Sequence, residues 1–303
     1  MSARLLLLCP GQGGQHRGMF DLARTDAQAA AWLERAGLPA FDDAAMFDNR
    51  IAQPSIVGAT LAMWEALKPR LPMPALVAGY SVGELSAYGV AGALDPLDVV
   101  RLASTRAQLM DAQAGATPPQ ALVAVKGVRL ERAHMLARDH CFAIAIVTGI
   151  DGCIAGGLVA SLAQFAQAVE AAGGSWQRLP VAIASHTALM AGAAAPFAEA
   201  LLAAPWHRQE CPVLSGIAAQ AVTARPRAVA ALSRQLSETI QWSDCMDACA
   251  EAGITVALEL GPGAALARML QERHPHIACR SVDDFRSLNG VIAWLGRQID
   301  QIA

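Results

Sequence analysis

Lysine is nearly absent from this chain of 303 residues: it occurs only at Lys68 and Lys126, so that its 23 cationic side chains are otherwise arginine. These cations face 26 acidic residues, for a net charge of −3, and no segment gathers them into a basic cluster. The electrostatic footprint of a nucleic-acid binder is therefore missing, and no nucleic acid is expected as a partner. Aromatic residues are also scarce, at 5%, and only 16% of residues are charged, whereas 54% are apolar. A chain with that balance buries a sizeable core and lies outside the high-charge, low-hydrophobicity range of disordered sequences. Its length permits one large domain or two modest ones. The seven cysteines, at 9, 141, 153, 211, 245, 249 and 279, include no CxxC pair. An odd set of this kind reads as reduced, mostly buried thiols in a cytoplasmic protein, without disulfides. Cys245 and Cys249 have helical spacing, but no histidine lies within a few residues of them, and no metal is expected.

Long hydrophobic runs are missing too. The Leu5-Leu6-Leu7-Leu8-Cys9 run is too short for the apolar part of a signal peptide and ends in Pro10-Gly11, so it reads as a buried strand. The most apolar window, 143–160, is broken by Asp151 and by four glycines, and no membrane span is expected. Much of the apolar content is alanine, which favours helices without requiring lipid.

What is present is alternation. Short apolar runs at 4–9, 75–79, 121–125, 142–148, 212–214 and 255–260 are separated by stretches of helical period, the pattern of an α/β protein. The spacing of Ile56, Leu61, Trp64 and Leu67 predicts a helix over 53–68, stopped by Pro69. Asp95-Pro96 suits the start of a second helix running to 113. Residues 121–184 read as βαββαβ, with helices at 129–138 and 161–173, which is the order of a ferredoxin-like unit. The polar stretch 114–120 leads into it. The expected organisation is a large body formed by 1–118 and 186–303 with a small insertion at 119–185.

The sharpest chemical signal is Gly79-Tyr80-Ser81-Val82-Gly83, placed after an apolar run and before a helix-compatible stretch. A GxSxG pattern on a strand-to-helix turn exposes a serine, because glycines on both sides let strand and helix approach closely. Ser81 is thus a candidate nucleophile, and without that context the pattern would carry little weight. A second glycine-rich segment, Gly11-Gln12-Gly13-Gly14-Gln15, follows the first strand. It lacks the Gly-Lys-Ser/Thr ending of a phosphate-binding loop and does not match GxGxxG; it reads either as an ordinary turn or as backbone N–H groups brought close to a substrate oxygen. A serine nucleophile needs a base. His186, in Ser185-His186-Thr187, lies just after the insertion returns to the body and just before a helix, a fitting place for a catalytic loop residue. His274 and His276, with Asp247 or Glu259 as acid, are the rivals, since a hydrolase of order Ser, acid, His places its base late in the chain. Arg106 lies inside a helix, where an arginine is ordinarily a solvated surface residue. Gln53, Tyr80 and Glu84 read equally as caps, core groups or functional residues.

Taken in order, GQGGQ (11–15), AQPS (52–55), GYSVGE (79–84), Arg106 with Met110, SHTALM (185–190) and ELGPG (259–263) resemble the malonyl-CoA:acyl carrier protein transacylase family over about residues 4–270. The resemblance implies an α/β-hydrolase-like large subdomain with an inserted ferredoxin-like small subdomain. It further implies that Ser81 attacks the thioester of malonyl-CoA, that His186 is the base, and that the backbone N–H groups of Gln12 and Val82 hold the oxyanion. Arg106 is implied to grip the malonyl carboxylate and Gln53 to line the pocket. The acceptor is implied to be the phosphopantetheine-type arm of an acyl carrier protein, with no permanently bound cofactor. In this family the histidine is oriented by a backbone carbonyl rather than by an acid, and the stretch 251–253 is expected to supply it.

Two positions depart from the family pattern. Tyr80 stands where many of these enzymes carry histidine, and 147–152 occupies the place of a loop with asparagines. With the wording around Asn49-Arg50-Ile51-Ala52-Gln53-Pro54, these departures resemble most the epsilon subunit of malonate decarboxylase, whose acceptor is the decarboxylase's own carrier subunit. The housekeeping transacylase of type II fatty-acid synthesis is the near alternative, and a serine esterase or thioesterase the more distant one. A noncatalytic scaffold is disfavoured by the joint presence of Ser81, His186 and Arg106.

Overall fold

The computed structural model describes residues 3–40 and 42–300; the outermost residues of the expected large body lie outside that span. Its strands, in chain order, are β1 (Leu5–Cys9), β2 (Leu76–Gly79), β3 (Gln120–Lys126), β4 (Phe142–Val147), β5 (Gly152–Leu158), β6 (Ser175–Arg178), β7 (Val213–Leu214), β8 (Ala221–Val222), β9 (Ile240–Gln241), β10 (Val256–Glu259) and β11 (Ala278–Ser281). They form two sheets. The first has the order β11-β10-β1-β2-β7-β8 and is parallel except for its β7–β8 edge. The second, β6-β3-β5-β4-β9, is antiparallel except for the short parallel contact of β4 with β9. The fold is thus α/β in its main sheet, with a smaller antiparallel sheet built from the βαββαβ segment and completed by Ile240–Gln241 from outside that segment.

β1 sits in the middle of the parallel sheet, which explains its unbroken apolar run. Leu5, Leu7 and Cys9 pack into the core on one face, and Leu6 and Leu8 into the core on the other. A strand covered by helices on both sides has no polar face to alternate with. Each fully buried leucine contributes roughly 1.5–3 kcal/mol of apolar transfer free energy. The small sheet has its own core, in which Phe142 and Phe165 stack with ring centroids 4.4 Å apart.

The helix expected over 53–68 is longer at its start and spans Asn49–Leu67, with Pro54 inside its second turn. The proline invites a start near 53, but long-range bonds hold the preceding turn in place: Asn49 Nδ2 donates to Asp111 Oδ1 at 3.0 Å and Arg50 Nε to Asp111 Oδ2 at 2.8 Å. The second helix spans Pro96–Gly115, and Asp95 caps it by accepting from the Leu97 N–H at 2.8 Å. The polar connection before the small sheet is accordingly only 116–119. There the outgoing and returning chains are tied together, since Gln120 Oε1 accepts from the Ala184 N–H at 2.8 Å. That bond, two residues before His186, sets how the chain re-enters the larger sheet.

Candidate active site

Both glycine-rich segments leave the C-terminal ends of adjacent parallel strands, β1 and β2, paired through Cys9 and Gly79. This is where open α/β sheets place ligands. Ser81 follows β2 and precedes the helix Val82–Val90 with φ 55° and ψ −119°, a strained conformation that costs about 1–3 kcal/mol. The flanking glycines make it feasible. A Cβ on Gly79 would fall 2.2 Å from the Glu84 backbone nitrogen, and one on Gly83 would fall 2.1 Å from the Cys9 carbonyl oxygen. Either substitution would push strand and helix apart.

His186 is brought to this turn from the returning chain. It has φ 62°, and its N–H donates to the Leu236 carbonyl at 2.8 Å. Its Nε2 lies 2.8 Å from Ser81 Oγ, and its Nδ1 lies 2.6 Å from the Gln235 backbone oxygen. A carbonyl can only accept, so Nδ1 carries the proton and the Nε2 lone pair faces the serine hydroxyl. Burial, aided by the Arg106 charge, pushes the imidazole down to about 3, against the pull of the Gln235 bond. The ring is therefore neutral near pH 7 and free to take a proton. The carbonyl expected from 251–253 comes instead from Gln235, which follows the helix Arg225–Arg234. The physical reason is that the final turn of a helix leaves carbonyls without intrahelical partners. Gly253 lies elsewhere, against the Arg4 side chain.

Arg106 is buried, with 2% exposure, contrary to what its place on a helix suggests. Its Nη1 donates to Gln53 Oε1 at 2.7 Å, and its Nη2 lies 3.4 Å from Gln235 Oε1 and 3.5 Å from Ser81 Oγ. Desolvation lowers the guanidinium to about 10, so it stays charged at neutral pH. A buried cation whose direct partners are two neutral amides and a hydroxyl is a site for an anion, and a planar guanidinium offers a carboxylate two parallel charge-assisted bonds. Gln53 joins the site through this contact.

Val82 provides the first N–H of its helix, a donor with no intrahelical acceptor at the positive end of the helix dipole. Gln12 is carried by a loop that packs onto the serine turn: a Cβ on Gly11 would lie 2.6 Å from the Tyr80 carbonyl and 3.4 Å from Ser81 Cβ. Gln15 holds this loop by accepting from the Gly13 N–H at 2.6 Å and donating to the Met46 carbonyl at 3.2 Å. The GPG segment buttresses it, since Gly14 leaves no room for a Cβ against the Pro262 carbonyl. Glu259, raised to about 8 by burial, accepts from the Ala267 N–H at 2.9 Å and so ties the ELGPG strand end to the first turn of the helix Ala265–Arg273.

The rival base is not assembled with the serine. His274 Nε2 lies 2.9 Å from Asp247 Oδ1, and Arg273 binds the same carboxylate. His186 takes neither Asp247 nor Glu259 as partner. Two residues bonded into this site carry no clear signal in the sequence. Gln235 sits in no motif, and its only signal is a polar residue just past the end of an amphipathic, arginine-bearing helix. Glu84 was visible in GYSVGE but indistinguishable from a cap; it is fully buried, and its Oε2 accepts from Gln235 Nε2 at 2.5 Å. The two departures from the family pattern meet: Tyr80, Thr148, Gly149 and Asp151 line one cavity of about 590 Å³ with Met246 and Met269. Tyr80 is held there edge-on against Trp242, with ring centroids 5.2 Å apart.

Among the described residues no helix is long and apolar enough to cross a membrane, and no group of three or more His, Cys, Asp or Glu side chains could hold a metal. Residues 6–287 match the acyl transferase domain family. The chain is 32% identical over 299 residues to the malonyl CoA-acyl carrier protein transacylase of Mycobacterium tuberculosis, covering 92% of this chain and 96% of that protein. A crystal structure of the MCAT from the same organism superposes with a TM-score of 0.85 at 30% identity over 94% of this chain and 97% of that one. FabD from Acinetobacter baumannii superposes with a TM-score of 0.89 at 25% identity over 99% of this chain and 100% of that one. A serine on a strained strand-to-helix turn, a neutral histidine within hydrogen-bond reach and a match to nearly the whole chain together lead to one conclusion: the chain belongs to the acyl transferase domain family.

Proposed function

We propose that this chain is a malonyl-CoA:acyl carrier protein S-malonyltransferase acting in the cytoplasm through a malonyl ester on Ser81. The observation that carries the proposal is Arg106, buried with its Nη2 3.5 Å from Ser81 Oγ. A cation held there by neutral amides favours an acyl group with a free carboxylate over one without, and the Mycobacterium tuberculosis relative is named for the malonyl group.

In the first half-reaction Ser81 Oγ attacks the thioester carbonyl of malonyl-CoA while His186 Nε2 takes the hydroxyl proton. The Gln12 and Val82 backbone N–H groups hold the oxyanion of the tetrahedral intermediate. As the C–S bond breaks, His186 returns the proton to the CoA sulfur, and malonyl-Ser81 remains. In the second half the thiol of the carrier's phosphopantetheine-type arm gives its proton to His186, its sulfur attacks the ester carbonyl, and the Ser81 oxygen leaves and recovers the proton. Each step uses side chains and amides of this chain. The malonyl carboxylate has a second effect: on Arg106 it offsets the charge that disfavours the imidazolium, so this acyl group eases proton transfer as well as binding.

The acceptor is the finer question. The relatives' names support an acyl carrier protein in general and so favour the transacylase of type II fatty-acid synthesis over the epsilon subunit of malonate decarboxylase. The decarboxylase reading rests on the wording around Asn49–Pro54 and on Tyr80 and 147–152, the last two of which line one cavity wall. Intact-protein mass spectrometry tests both levels. Malonyl-CoA should add one malonyl group to the wild type and none to Ser81→Ala, and the adduct should discharge onto a fatty-acid carrier faster than onto a decarboxylase carrier subunit. The opposite order assigns the decarboxylase branch. Steady release of CoA with no adduct and no transfer would replace the transferase by a hydrolase.

A further inference from the structure

The proposed reaction makes no use of Glu84, yet this carboxyl group is completely buried three residues after the nucleophile. Its Oε2 accepts from the Gly216 N–H at 2.9 Å and from Gln235 Nε2 at 2.5 Å, while its Oε1 has no partner. Gln235 joins this carboxyl group to the rest of the site. Its side-chain oxygen lies 3.4 Å from Arg106 Nη2, and its backbone oxygen receives the His186 Nδ1 proton at 2.6 Å. One residue therefore connects the group that would read the acyl carboxylate, the base, and a buried acid.

The groups facing Glu84 are few. Arg106 interacts with it from the helix Pro96–Gly115, Tyr88 from its own helix one turn on, and Cys245 from the helix Trp242–Glu251. Burial pushes the Tyr88 phenol and the Cys245 thiol far up, so both stay neutral. Arg106 is the one cation in the set. Burial raises Glu84 itself to about 7, opposed by the Gly216 and Gln235 bonds and by the Arg106 charge. A carboxylate brought to Arg106 puts a second negative charge into the same low-dielectric space, where two like charges do not both persist.

We propose that Glu84 is a positioning residue that sets the site's affinity for a carboxylate-bearing acyl group: ionised, it is the counter-charge of Arg106 in the empty site, and protonated, it leaves Arg106 to the substrate. This inference rests on malonyl binding at Arg106. Loading then takes up one proton from solvent at Glu84, with the unpartnered Oε1 as its position, and transfer to the carrier releases that proton again. The sign follows from linkage: affinity for malonyl-CoA is highest below the ionisation of Glu84 in the empty site and falls as pH rises through it, by up to about tenfold per pH unit.

The test is the half-saturating concentration for Ser81 acylation between pH 6 and 8.5, measured with malonyl-CoA and with acetyl-CoA, in wild type and Glu84→Gln. The amide oxygen of the variant can accept both bonds now made to Oε2, so the charge is removed with those bonds kept, and an NH2 group takes the place of the unpartnered Oε1. In the wild type the malonyl-CoA value should climb above pH 7 and the acetyl-CoA value should not. In the variant the malonyl-CoA slope should disappear, with tighter half-saturation than wild type at pH 8. A flat wild-type profile, a slope that survives in the variant, or a change that affects both acyl donors alike would overturn the proposal. A measurement on the wild type alone guards against a variant that does not fold. In weak buffer at pH 7.5, malonyl-CoA should draw protons from a dye indicator in step with acylation, and acetyl-CoA should draw none. If malonyl-CoA forms no Ser81 adduct at any pH, the malonyl reading fails as well; an adduct without proton uptake overturns Glu84's role alone.

Discussion

His186 and His274 each have a ring nitrogen bonded to an oxygen acceptor, and the comparison of their surroundings shows how differently two such histidines are placed. His274 looks more like part of a hydrolytic triad: it pairs with Asp247 at 2.9 Å and lies late in the chain. Yet its carboxylate is 40% exposed and is shared with Arg273, which holds it below the usual carboxylate range. That assembly is an ordinary half-exposed ion-pair cluster of the kind that contributes little to stability. His186 is 1% exposed, has only a backbone carbonyl behind it, and lies 2.8 Å from Ser81. The carbonyl fixes the tautomer without adding a fixed negative charge beside Arg106, where a second carboxylate would compete with an anionic substrate. An acid is dispensable in this site because its position is already supplied by a neutral acceptor and its charge would be in the wrong place.

The comparison can be broken or sharpened by substitution. The largest effect is expected for His186→Ala, which should slow Ser81 acylation by malonyl-CoA about 10³-fold at pH 7.5, the scale of a lost general base. Quenched-flow mass spectrometry checks it, and an unimpaired rate would hand the base role to another histidine. Next comes Arg106→Ala. It should lower the preference for malonyl-CoA over acetyl-CoA by about 10²-fold, as expected for losing hydrogen bonds from a charged group, while acetylation of Ser81 continues slowly. Equal loss with both donors would show that Arg106 serves the reacting carbonyl or the fold. The smallest effect is expected for Asp247→Asn and His274→Ala, which should leave acylation within about twofold and stability within ~1 kcal/mol. A large loss of acylation in either variant would reverse the comparison.

How much of this was legible beforehand varies from residue to residue. The strand at Leu5–Cys9 could be read because a central parallel strand needs an apolar residue at every position. The serine turn could be read because the tight turn needs Gly79 for contacts only a few residues on, at Gly83 and Glu84, although the contact that requires Gly83, to the Cys9 carbonyl, comes from the neighbouring strand. The start of the helix Asn49–Leu67 could not, because its first turn is held by Asp111, far along the chain. Gln235 was not found for a related reason. Its backbone oxygen, which any residue type supplies, orients His186, so its main role leaves no imprint on side-chain identity.

Hydrophobic periodicity, glycine placement and motif order determined the α/β class, the βαββαβ segment, the nucleophile turn and the set of residues from which a site could be chosen. These are properties of short segments, where steric limits and apolar patterning act between near neighbours. Which histidine lies within hydrogen-bond reach of Ser81, which carbonyl orients it, and whether Arg106 is a surface group or buried beside the serine were decided only when residues from 53, 81, 106, 186 and 235 met. Burial and electrostatic coupling depend on what surrounds a group in space: the same buried surroundings that keep His186 neutral lift Glu84 to about 7.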